Sequence, residues 1–565
     1  MTRTRKALAV AASVGAAALA AGALLVPPRA LVLRQPEWRP AGAVVRGVFH
    51  VHTTRSDGTG TPEEVAAAAA RAGLQFVIFT DHGDGTRQPD PPRYLSGVLC
   101  LDGVEISTTA GHYAAIGLPA SPYPLGGEPR DVVEDVARLG GFGVVTHPDS
   151  AKPGLSWAAW DTGFDAVEWL NADSQWRDET AWHMARAVIT YPVRPAETLA
   201  ALFDAADVLP RMDRRALTRG VVALAGADAH ARLGSTGASD PYEGRPLLRL
   251  PSYESSFRTF SLHVALGRPL SGAAAEDGWA LLEAIRAGHL HTVIDAWAGP
   301  AAFEFTAQAG EESAAEGDSV ASPGPVVIRV RSNAPVYAEL VLRRDGREVH
   351  RVGRQSLVYA TDKPGTYRVE VALRAGGRRR VPWIVSNGIV VNAGDRTTRE
   401  PDARPPAFEP VLPLRPMGNG WTVERDSRSV GELREAPGGT TLGYRLGGGV
   451  PSGQYCAVVA PISVPADADA VAFEARADRP MRVSVQVRVP TGAEGERWQR
   501  SVYFEPHPRT VVVPLADMRP AGTAASPAPR AGDVTSLLFV VDTVNTAPGT
   551  SGAVTVADVR LVRIR

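Results

Sequence analysis

Apolar runs alternate with polar segments in a regular way along the first half of the chain. Short, mostly apolar runs predict buried strands at GVFHVH (47–52), LQFVIFT (74–80), VLCLDGVEI (98–106), FGVVT (142–146), FDAVEWL (164–170) and VVALAG (221–226). Continuous apolar runs of this length are typical of parallel sheets, whose strands are covered on both faces. Helical patterns at 130–139 and 179–189 lie between them, and a capping box of Thr61 and Glu64 predicts the start of another helix. The βα alternation predicts a barrel or an open α/β sheet.

The pattern changes near Pro300. Beyond it, short runs alternate apolar and polar residues, with turn residues between them and no long helical pattern, which is typical of β-sandwiches. A polar, proline-rich stretch at 397–410 predicts a linker. We therefore expect an N-terminal segment, an α/β domain and two sandwiches, at 1–42, 43–298, 299–396 and 411–565. The last sandwich should fold separately and be dispensable for turnover of small substrates.

The N-terminus predicts export. Arg3, Arg5 and Lys6 precede an uncharged run from Ala7 to Val26. Signal peptides carry about 7–15 apolar residues after a basic region, and membrane-spanning helices carry about 20. Since the basic residues should stay in the cytoplasm, the rest of the chain is expected outside it, either secreted or anchored by this segment. A buried alanine-rich helix is the alternative.

Composition and charge narrow the function classes. The chain has 565 residues, of which 44% are hydrophobic and 21% charged, as in ordinary globular domains. Its formal net charge of −1 provides no field that would recruit nucleic acid or an anionic membrane surface. Cys100 and Cys456 lie in different predicted domains, which argues against a disulfide, a thiolate metal site and a cysteine nucleophile.

Histidine and carboxylate residues recur where the predicted strands end. The set contains His50, His52, Asp57, His82, Glu105, His112, His147, Asp228 and His230. The carboxyl ends of parallel strands converge on one face of a βα fold, so we expect these side chains in one patch. A lone histidine at a strand end is usually a surface residue, but recurrence at several strand ends indicates a ligand cluster. Imidazoles and carboxylates suit Zn, Mn or Fe, and the number of ligands predicts two or three divalent ions bridged by a carboxylate.

The motifs HVHTTRSDG, FTDHGDG, GVEIS with the following His112, VVTHP and AGADAH resemble, in this order, those of the PHP (polymerase and histidinol phosphatase) family. The resemblance covers about 43–298 and implies a distorted (β/α)7 barrel with a trinuclear metal site at the carboxyl ends of its strands. It implies three ligand sets, which are His50, His52, Glu105 and Asp228 for one ion, Glu105, His112 and His147 for a second, and Asp57, His82 and His230 for a third. Glu105 would then bridge two ions, and Asp228 would orient a metal-activated water.

Later segments extend this resemblance. PSYESSFRTFSLHVAL, WALLEAIRAGHLHTVIDAW and PWIVSN are similar to an exported, sandwich-bearing subgroup that includes carbaryl hydrolase-like enzymes. The segment 299–396 is expected to form an Ig-like sandwich, and none of the predicted site residues lies in it. LLFVVDTVNTAPGTSG resembles galactose-binding-like jelly rolls. This leaves open a carbohydrate or cell-surface contact through 411–565, with Trp498 and Arg509 as candidate contacts, or a scaffold role without sugar binding.

These observations predict an exported metal-dependent hydrolase that acts on a small phosphoester, as a phosphatase or phosphodiesterase. Hydrolysis of carbamates or carboxylic esters is the alternative within the same class, and a non-catalytic binding or scaffold protein is the alternative outside it. No nucleic-acid partner is expected, and membrane contact is expected only through the N-terminal segment. Candidate substrate contacts follow the strand ends and are Glu168, Asn171, Arg87, Arg177 and Arg232. The first two could instead support the ligands, while the arginines could clamp an anion.

Overall fold

A computed structural model describes residues 25–40, 42–152, 154–177, 179–204, 208–216, 220–236, 245–373, 382–393, 406–414, 420–490, 495–522, 524, 526 and 528–565. Most of the predicted export segment (residues 1–24) and most of the predicted linker lie outside them. Among the described residues, none of the helices has the length and apolar character needed to cross a membrane. Contacts divide the chain into two units. The first comprises Met1–Gly83, Pro89–Leu118 and Gly140–Thr398, and the second comprises Asp84–Gln88, Pro119–Leu139 and Arg399–Arg565.

The N-terminal half alternates strands and helices. In chain order it contains β1 (Leu31–Val32), β2 (Ala43–Val51), α1 (Pro62–Arg71), β3 (Phe76–Phe79), β4 (Arg93–Leu95), β5 (Val98–Thr108), β6 (Gly111–Ile116), α2 (Pro129–Arg138), β7 (Phe142–Thr146), β8 (Ala166–Asn171), a 3₁₀ turn (Ser174–Trp176), α3 (Ala181–Thr190), α4 (Pro195–Ala200), α5 (Val208–Ala216), β9 (Val222–Ala229), β10 (Leu233–Thr236), β11 (Arg245–Leu248), α6 (Tyr253–Phe257), β12 (Ser261–Leu266), α7 (Ala274–Ala287), β13 (Leu290–Val293) and β14 (Ala298–Gly299).

Seven strands close into a mixed barrel, which confirms the predicted α/β barrel. Their order is β2, β3, β5, β6, β7, β8 and β9, and β9 pairs back to β2. β6 runs antiparallel to both of its neighbours, whereas the other pairs are parallel. β5 and β6 form a hairpin with no helix between them. Because β6 is reversed, its first residues lie at the rim where the parallel strands end, and His112 pairs with Thr146 there.

The predicted start of α1 is confirmed. The Glu64 N–H donates to the Thr61 hydroxyl, and the Glu64 carboxylate accepts from the Thr61 N–H, so both halves of the capping box are present. The helix buries Val65 and the alanines of one face against the barrel strands. It stops before Gly73, whose φ of 77° lies in the left-handed region that favours glycine.

Residues 299–393 form two sheets that are antiparallel apart from the β17–β24 pair, as predicted for the first sandwich. The strands are β15 (Phe303–Ala309), β16 (Glu312–Ala315), β17 (Ser319–Val320), β18 (Val326–Ser332), β19 (Glu339–Arg344), β20 (Arg347–Val352), β21 (Ser356–Thr361), β22 (Gly365–Ala372), β23 (Pro382–Ser386) and β24 (Ile389–Val391). One sheet has the order β16-β15-β18-β21. The other is continuous with the barrel because β23 pairs with β13. The Asn387 side chain strengthens this connection, since it bonds both the N–H and the carbonyl of Ala223 in β9.

The C-terminal sandwich is also confirmed. Its strands are β25 (Phe408–Pro413), β26 (Thr422–Arg425), β27 (Val430–Ala436), β28 (Gly439–Arg445), β29 (Tyr455–Pro461), β30 (Ala470–Ala477), β31 (Met481–Val489), β32 (Glu496–Phe504), β33 (Arg509–Pro514), β34 (Arg519–Pro520), β35 (Ser536–Asp542) and β36 (Ser551–Ile564), with 3₁₀ turns at Leu515–Asp517 and Ala531–Asp533. They form two six-stranded sheets. Alternate residues of β31 point into the core between the sheets, as the sequence pattern predicts.

Trp498 belongs to that core. Its side chain is fully buried, and its indole N–H donates to Glu496. A sugar platform needs an exposed ring, so the expectation that Trp498 contacts carbohydrate is wrong. The sequence of β32 does not show whether Trp498 lies on the face toward the core or on the face toward solvent.

Helix α2 belongs by its contacts to the second unit and is held there by a buried arginine. Arg482 in β31 donates from Nε to Asp135 Oδ2 at 2.7 Å and from Nη2 to Asp135 Oδ1 at 2.9 Å. It also donates to the Asp131 carbonyl at 2.9 Å. Its side chain is 1% exposed. Burial alone would lower the pKa of Arg482, but Asp135 raises it above its ordinary value, which keeps the guanidinium charged.

Replacing Arg482 with methionine should destabilise the second unit by up to about 3–5 kcal/mol. The buried Asp131 and Asp135 would each lose one counter-ion and would keep Arg500 and Arg138, respectively. Arg563→Met is the matched control, since Arg563 pairs with Asp467 at the surface of the same sandwich and such pairs contribute about 0–1 kcal/mol. Urea unfolding followed by tryptophan fluorescence measures the difference. Equal midpoints for the two variants would contradict the prediction.

Candidate metal centre

Three residues of the predicted ligand set have backbone conformations that residues other than glycine rarely adopt. The φ angle is 65° at His50, 33° at His147 and 47° at Asp228. Such conformations cost about 1–3 kcal/mol each and concentrate at functional sites. At His50 the pairing register of β2 shifts between Phe49 and Val51. A local irregularity, and not simple strand alternation, therefore brings the Nε2 atoms of His50 and His52 to 3.1 Å from each other.

Glu105 lies at the centre of the cluster and is 1% exposed. Its Oε2 atom is 3.3 Å from a ring nitrogen of each of three histidines, which are His50, His52 and His82. Its Oε1 atom faces the other two, at 3.3 Å from His112 Nδ1 and 2.9 Å from His147 Nε2. The two oxygens of one carboxylate thus face two different sets of imidazoles, which is the arrangement of a bridging ligand.

Two further carboxylates complete the cluster. Asp228 Oδ1 is 3.4 Å from the Nε2 atoms of both His50 and His52. Asp57 lies nearer the surface, with Oδ2 at 3.2 Å from His230 Nε2 and Oδ1 at 3.9 Å from His82 Nε2. The structure therefore brings all nine predicted ligands together, and the Asp57 end of the cluster is the one that solvent reaches.

Hydrogen bonds behind the cluster determine which ring nitrogen of each histidine is available. His50 Nδ1 lies 2.6 Å from Glu168 Oε1, and His147 Nδ1 lies 2.9 Å from the Leu155 carbonyl oxygen. Since these oxygens accept, each Nδ1 carries a proton, and Nε2 is the nitrogen that faces Glu105 and would bind an ion there. Glu168 reaches His50 past Gly226, where a Cβ would lie 1.6 Å from Glu168 Oε1, so this position needs glycine.

The donor set fits divalent transition metals. Four overlapping groups have ligand atoms that all lie within 4.8 Å of one another, and they are His52, Asp57, His82 and His230; His50, His147 and Asp228; His50, His52 and Glu105; and His82, Glu105 and His112. His112 Nδ1 is buried near Glu105 without the geometry of a hydrogen bond, which suits a lone pair directed at a cation. The overlap indicates more than one ion. It groups His147 with His50 and Asp228, so the assignment of ligands to individual ions stays a prediction.

The electrostatics of the metal-free cluster agree with this. Burial alone would lower the pKa of His52, but its bonds to Asp228 and Glu105 raise it to about 10. Burial alone would raise the pKa of Glu105, yet His50 and His82 lower it well below its ordinary value. Without metal the carboxylates are thus ionised and share protons with imidazoles. A divalent ion would replace those protons, because metal ligands must be deprotonated.

The predicted substrate contacts lie at different distances from the cluster and have different partners. Glu168 is buried, and its Oε2 atom accepts from the His147 N–H and from the Asn171 amide, so both residues support the ligands. Arg232 donates to the Asp57 carbonyl at 3.1 Å and therefore lies beside the cluster. Arg177 pairs with Asp173 and stacks over Trp176. Arg87 belongs to the second contact unit and donates to the Gln88 carbonyl.

Sequence reasoning missed three supporting residues. Asp81 accepts from the Thr53 N–H and hydroxyl at 2.7 and 2.8 Å and so fixes the loop after His52. Thr146 donates to Glu105 Oε1 at 2.7 Å. Tyr253 donates to the His52 carbonyl at 2.8 Å. Asp81 was visible in the TDH motif next to His82, whereas no local signal marks the other two.

The known proteins that resemble this chain do so only in fold. No protein-family model matches this sequence, and no curated protein is significantly similar to it. A solved family 11 carbohydrate-binding module from Clostridium thermocellum, in complex with a beta-1,3-1,4-mixed-linked tetrasaccharide, is 15% identical, and the match covers 27% of this chain and 95% of that chain at a TM-score of 0.23. A CBM4 structure is 18% identical over 26% of this chain and 95% of that chain at 0.19. At these scores the likeness carries no argument about function.

Proposed function

We propose that this chain is a metal-dependent phosphoester hydrolase. The observation that supports it best is the position of Glu105, whose two oxygens face separate sets of histidines inside a buried N/O cluster. Adjacent divalent ions held by one carboxylate suit displacement at phosphorus, where attacking and leaving oxygens both need stabilisation. When bound, such ions lower the pKa of a water and offset negative charge in the transition state.

The chain's own residues supply orientation and proton acceptance. His50, His52 and His147 would hold the ions through Nε2, and the tautomers of His50 and His147 are fixed as described above. Burial alone would raise the pKa of Asp228, but His50 and His52 lower it well below its ordinary value, which keeps Oδ1 ionised. Asp228 Oδ1 can therefore accept a hydrogen bond from the attacking water and direct its lone pair. Both cysteines are buried, which leaves no thiol at the surface of the described residues for a covalent mechanism.

The remaining parts of the hypothesis concern location and partners. Export of the mature chain to the outside of the cytoplasm, by secretion or an N-terminal anchor, stays a proposal that rests on the basic residues before the apolar run. A carbohydrate contact through 411–565 also stays a proposal, without Trp498. The scaffold alternative is less favourable, because every position of the ligand set is filled.

Protein purified without chelator should contain two or three divalent ions per chain and hydrolyse p-nitrophenyl phosphate or bis-p-nitrophenyl phosphate. EDTA treatment should abolish activity, and Zn, Mn or Fe should restore it. Turnover in oxygen-18 water should place the label in the released phosphate, since attack occurs at phosphorus. Less than one metal per chain with activity retained after EDTA would overturn the proposal. Preferential cleavage of naphthyl carbamates over both phosphoesters would favour the ester-hydrolase alternative.

A further inference from the structure

Helix α3 directs its apolar residues toward solvent. Its exposed residues are all apolar, and they are Ala181, Trp182, Ala185, Val188 and Ile189. The exposed fraction is 61% for Trp182, 69% for Val188 and 59% for Ile189. Residues at this spacing lie along one stripe of a helix, and in an ordinary surface helix such a stripe faces the core. An exposed apolar patch of this kind marks a surface that contacts something else.

The polar residues of α3 face the protein. Thr190 is buried, and its hydroxyl lies 3.0 Å from the Thr198 hydroxyl. His183 pairs with Glu179. These contacts fix the rotation of the helix about its axis, so the outward stripe is a property of the fold.

The same helix holds the start of the described chain. Arg186 donates from Nε to the Leu25 carbonyl at 2.7 Å, and Arg194 donates to the Pro27 carbonyl. Pro27 is buried. The uncharged run Ala7–Val26 therefore meets the folded domain at the helix that carries the apolar stripe.

The composition of this segment suits the surface of a lipid bilayer. Residues 181–194 contain no aspartate or glutamate and include two arginines, so anionic headgroups would meet no like charge from them. Tryptophan, such as Trp182, is enriched where a bilayer meets water, because its ring has an apolar body and a polar N–H.

We infer that α3 lies on the membrane that the N-terminal run enters, with Trp182, Val188 and Ile189 in the boundary between headgroups and acyl chains. This inference rests on the part of the proposed function in which the N-terminal segment is kept as an anchor. It adds a second membrane contact to the one that the sequence predicts. Interfacial helices bury their apolar face about 5–10 Å into this boundary. An anchor alone would leave the domain free to rotate, whereas two contacts turn one side of it toward the membrane.

A fluorescent label at position 188 tests the contact. The full chain with Val188→Cys is labelled with nitrobenzoxadiazole, since both native cysteines are buried, and is reconstituted in vesicles of equal parts phosphatidylcholine and phosphatidylglycerol. Quenchers attached to the lipid at graded depths should place the label about 5–10 Å into the boundary. Val358→Cys is the matched control, because Val358 in β21 is a valine with 63% exposure, and its label should stay in water.

Removal of the stripe should release the label and leave the anchor in place. Adding Trp182→Ser and Ile189→Ser to the labelled chain should lower the ratio of lipid-quenched to unquenched label by at least about tenfold, because most of the apolar area is lost. The variant should still float with the vesicles. Its circular dichroism should match the parent, since both changed residues are exposed.

The other outcomes separate this inference from the proposals on which it rests. A label at 188 that stays in water while the chain floats would overturn the inference and leave the anchor standing. A label that is buried without vesicles would also overturn it, because residues upstream of Leu25 or a second copy would then cover α3. A chain that does not float would overturn both the anchor and the inference. Phosphoester turnover in the same sample tests the catalytic proposal independently.

Discussion

Replacing Glu105 with glutamine should remove more than one metal ion per chain and lower kcat by at least about a thousandfold. Five imidazoles face this carboxylate, and its two oxygens serve different sets. An amide offers only one acceptor oxygen and no charge, so one set would lose its oxygen ligand and the other would keep only a neutral one. Elemental analysis after gel filtration and steady-state kinetics measure the two effects.

The control for this substitution is Glu283→Gln, since Glu283 is a half-exposed residue that pairs with Arg286 in α7. It should keep both metal and activity. Glu105→Gln protein with a full metal complement would show that Glu105 is not a shared ligand, even if its activity were reduced.

Replacing Asp228 with asparagine should lower kcat by at least about a hundredfold while the fold is kept. Asparagine tolerates the left-handed backbone of this position, where φ is 47°, better than most residues do. The substitution therefore removes a charge without adding backbone strain. It weakens one metal position next to His50 and His52 and leaves the attacking water without its acceptor.

Circular dichroism should show that Asp228→Asn retains its secondary structure, and elemental analysis should show partial metal loss. Supplying excess metal should restore occupancy but not kcat, because the orienting carboxylate is still missing. Full activity of this variant would contradict the role proposed for Asp228.

The clustering of the nine predicted ligands could be predicted because it depends on residue type and on position at strand ends. His50, Glu105 and Asp228 each end a run of apolar residues, and parallel strands bring such ends together. His112 was the exception, since it begins its strand. Its place at the rim depends on the reversal of β6, which follows from a hairpin too short for a crossover helix.

Other features depend on contacts that no local pattern records. The positive φ of His50 and His147 has no local sequence signal, although histidine adopts this conformation more often than most residues do. The alternating pattern of β32 did not determine which face held Trp498. The contact of α2 with β31 could not be predicted from the sequence either. An amphipathic helix in a βα pattern is ordinarily expected to pack on the sheet formed by its neighbours in sequence. Residues 119–139 belong to the same contact unit as 411–565, so a fragment that folds separately would have to include α2. That 411–565 is dispensable for turnover stays a prediction.

The separation of Asp135 and Arg482 along the chain also determines when α2 can complete its packing during synthesis. The two residues are 347 positions apart. At roughly 5–20 residues per second, the ribosome needs roughly 20–70 s to deliver β31 after α2 has been made. Throughout that interval Arg138 of the same helix can pair with Asp135, but the buried contact with Arg482 cannot form. The buried packing of α2 can therefore be completed only after β31 has been made, late in biosynthesis.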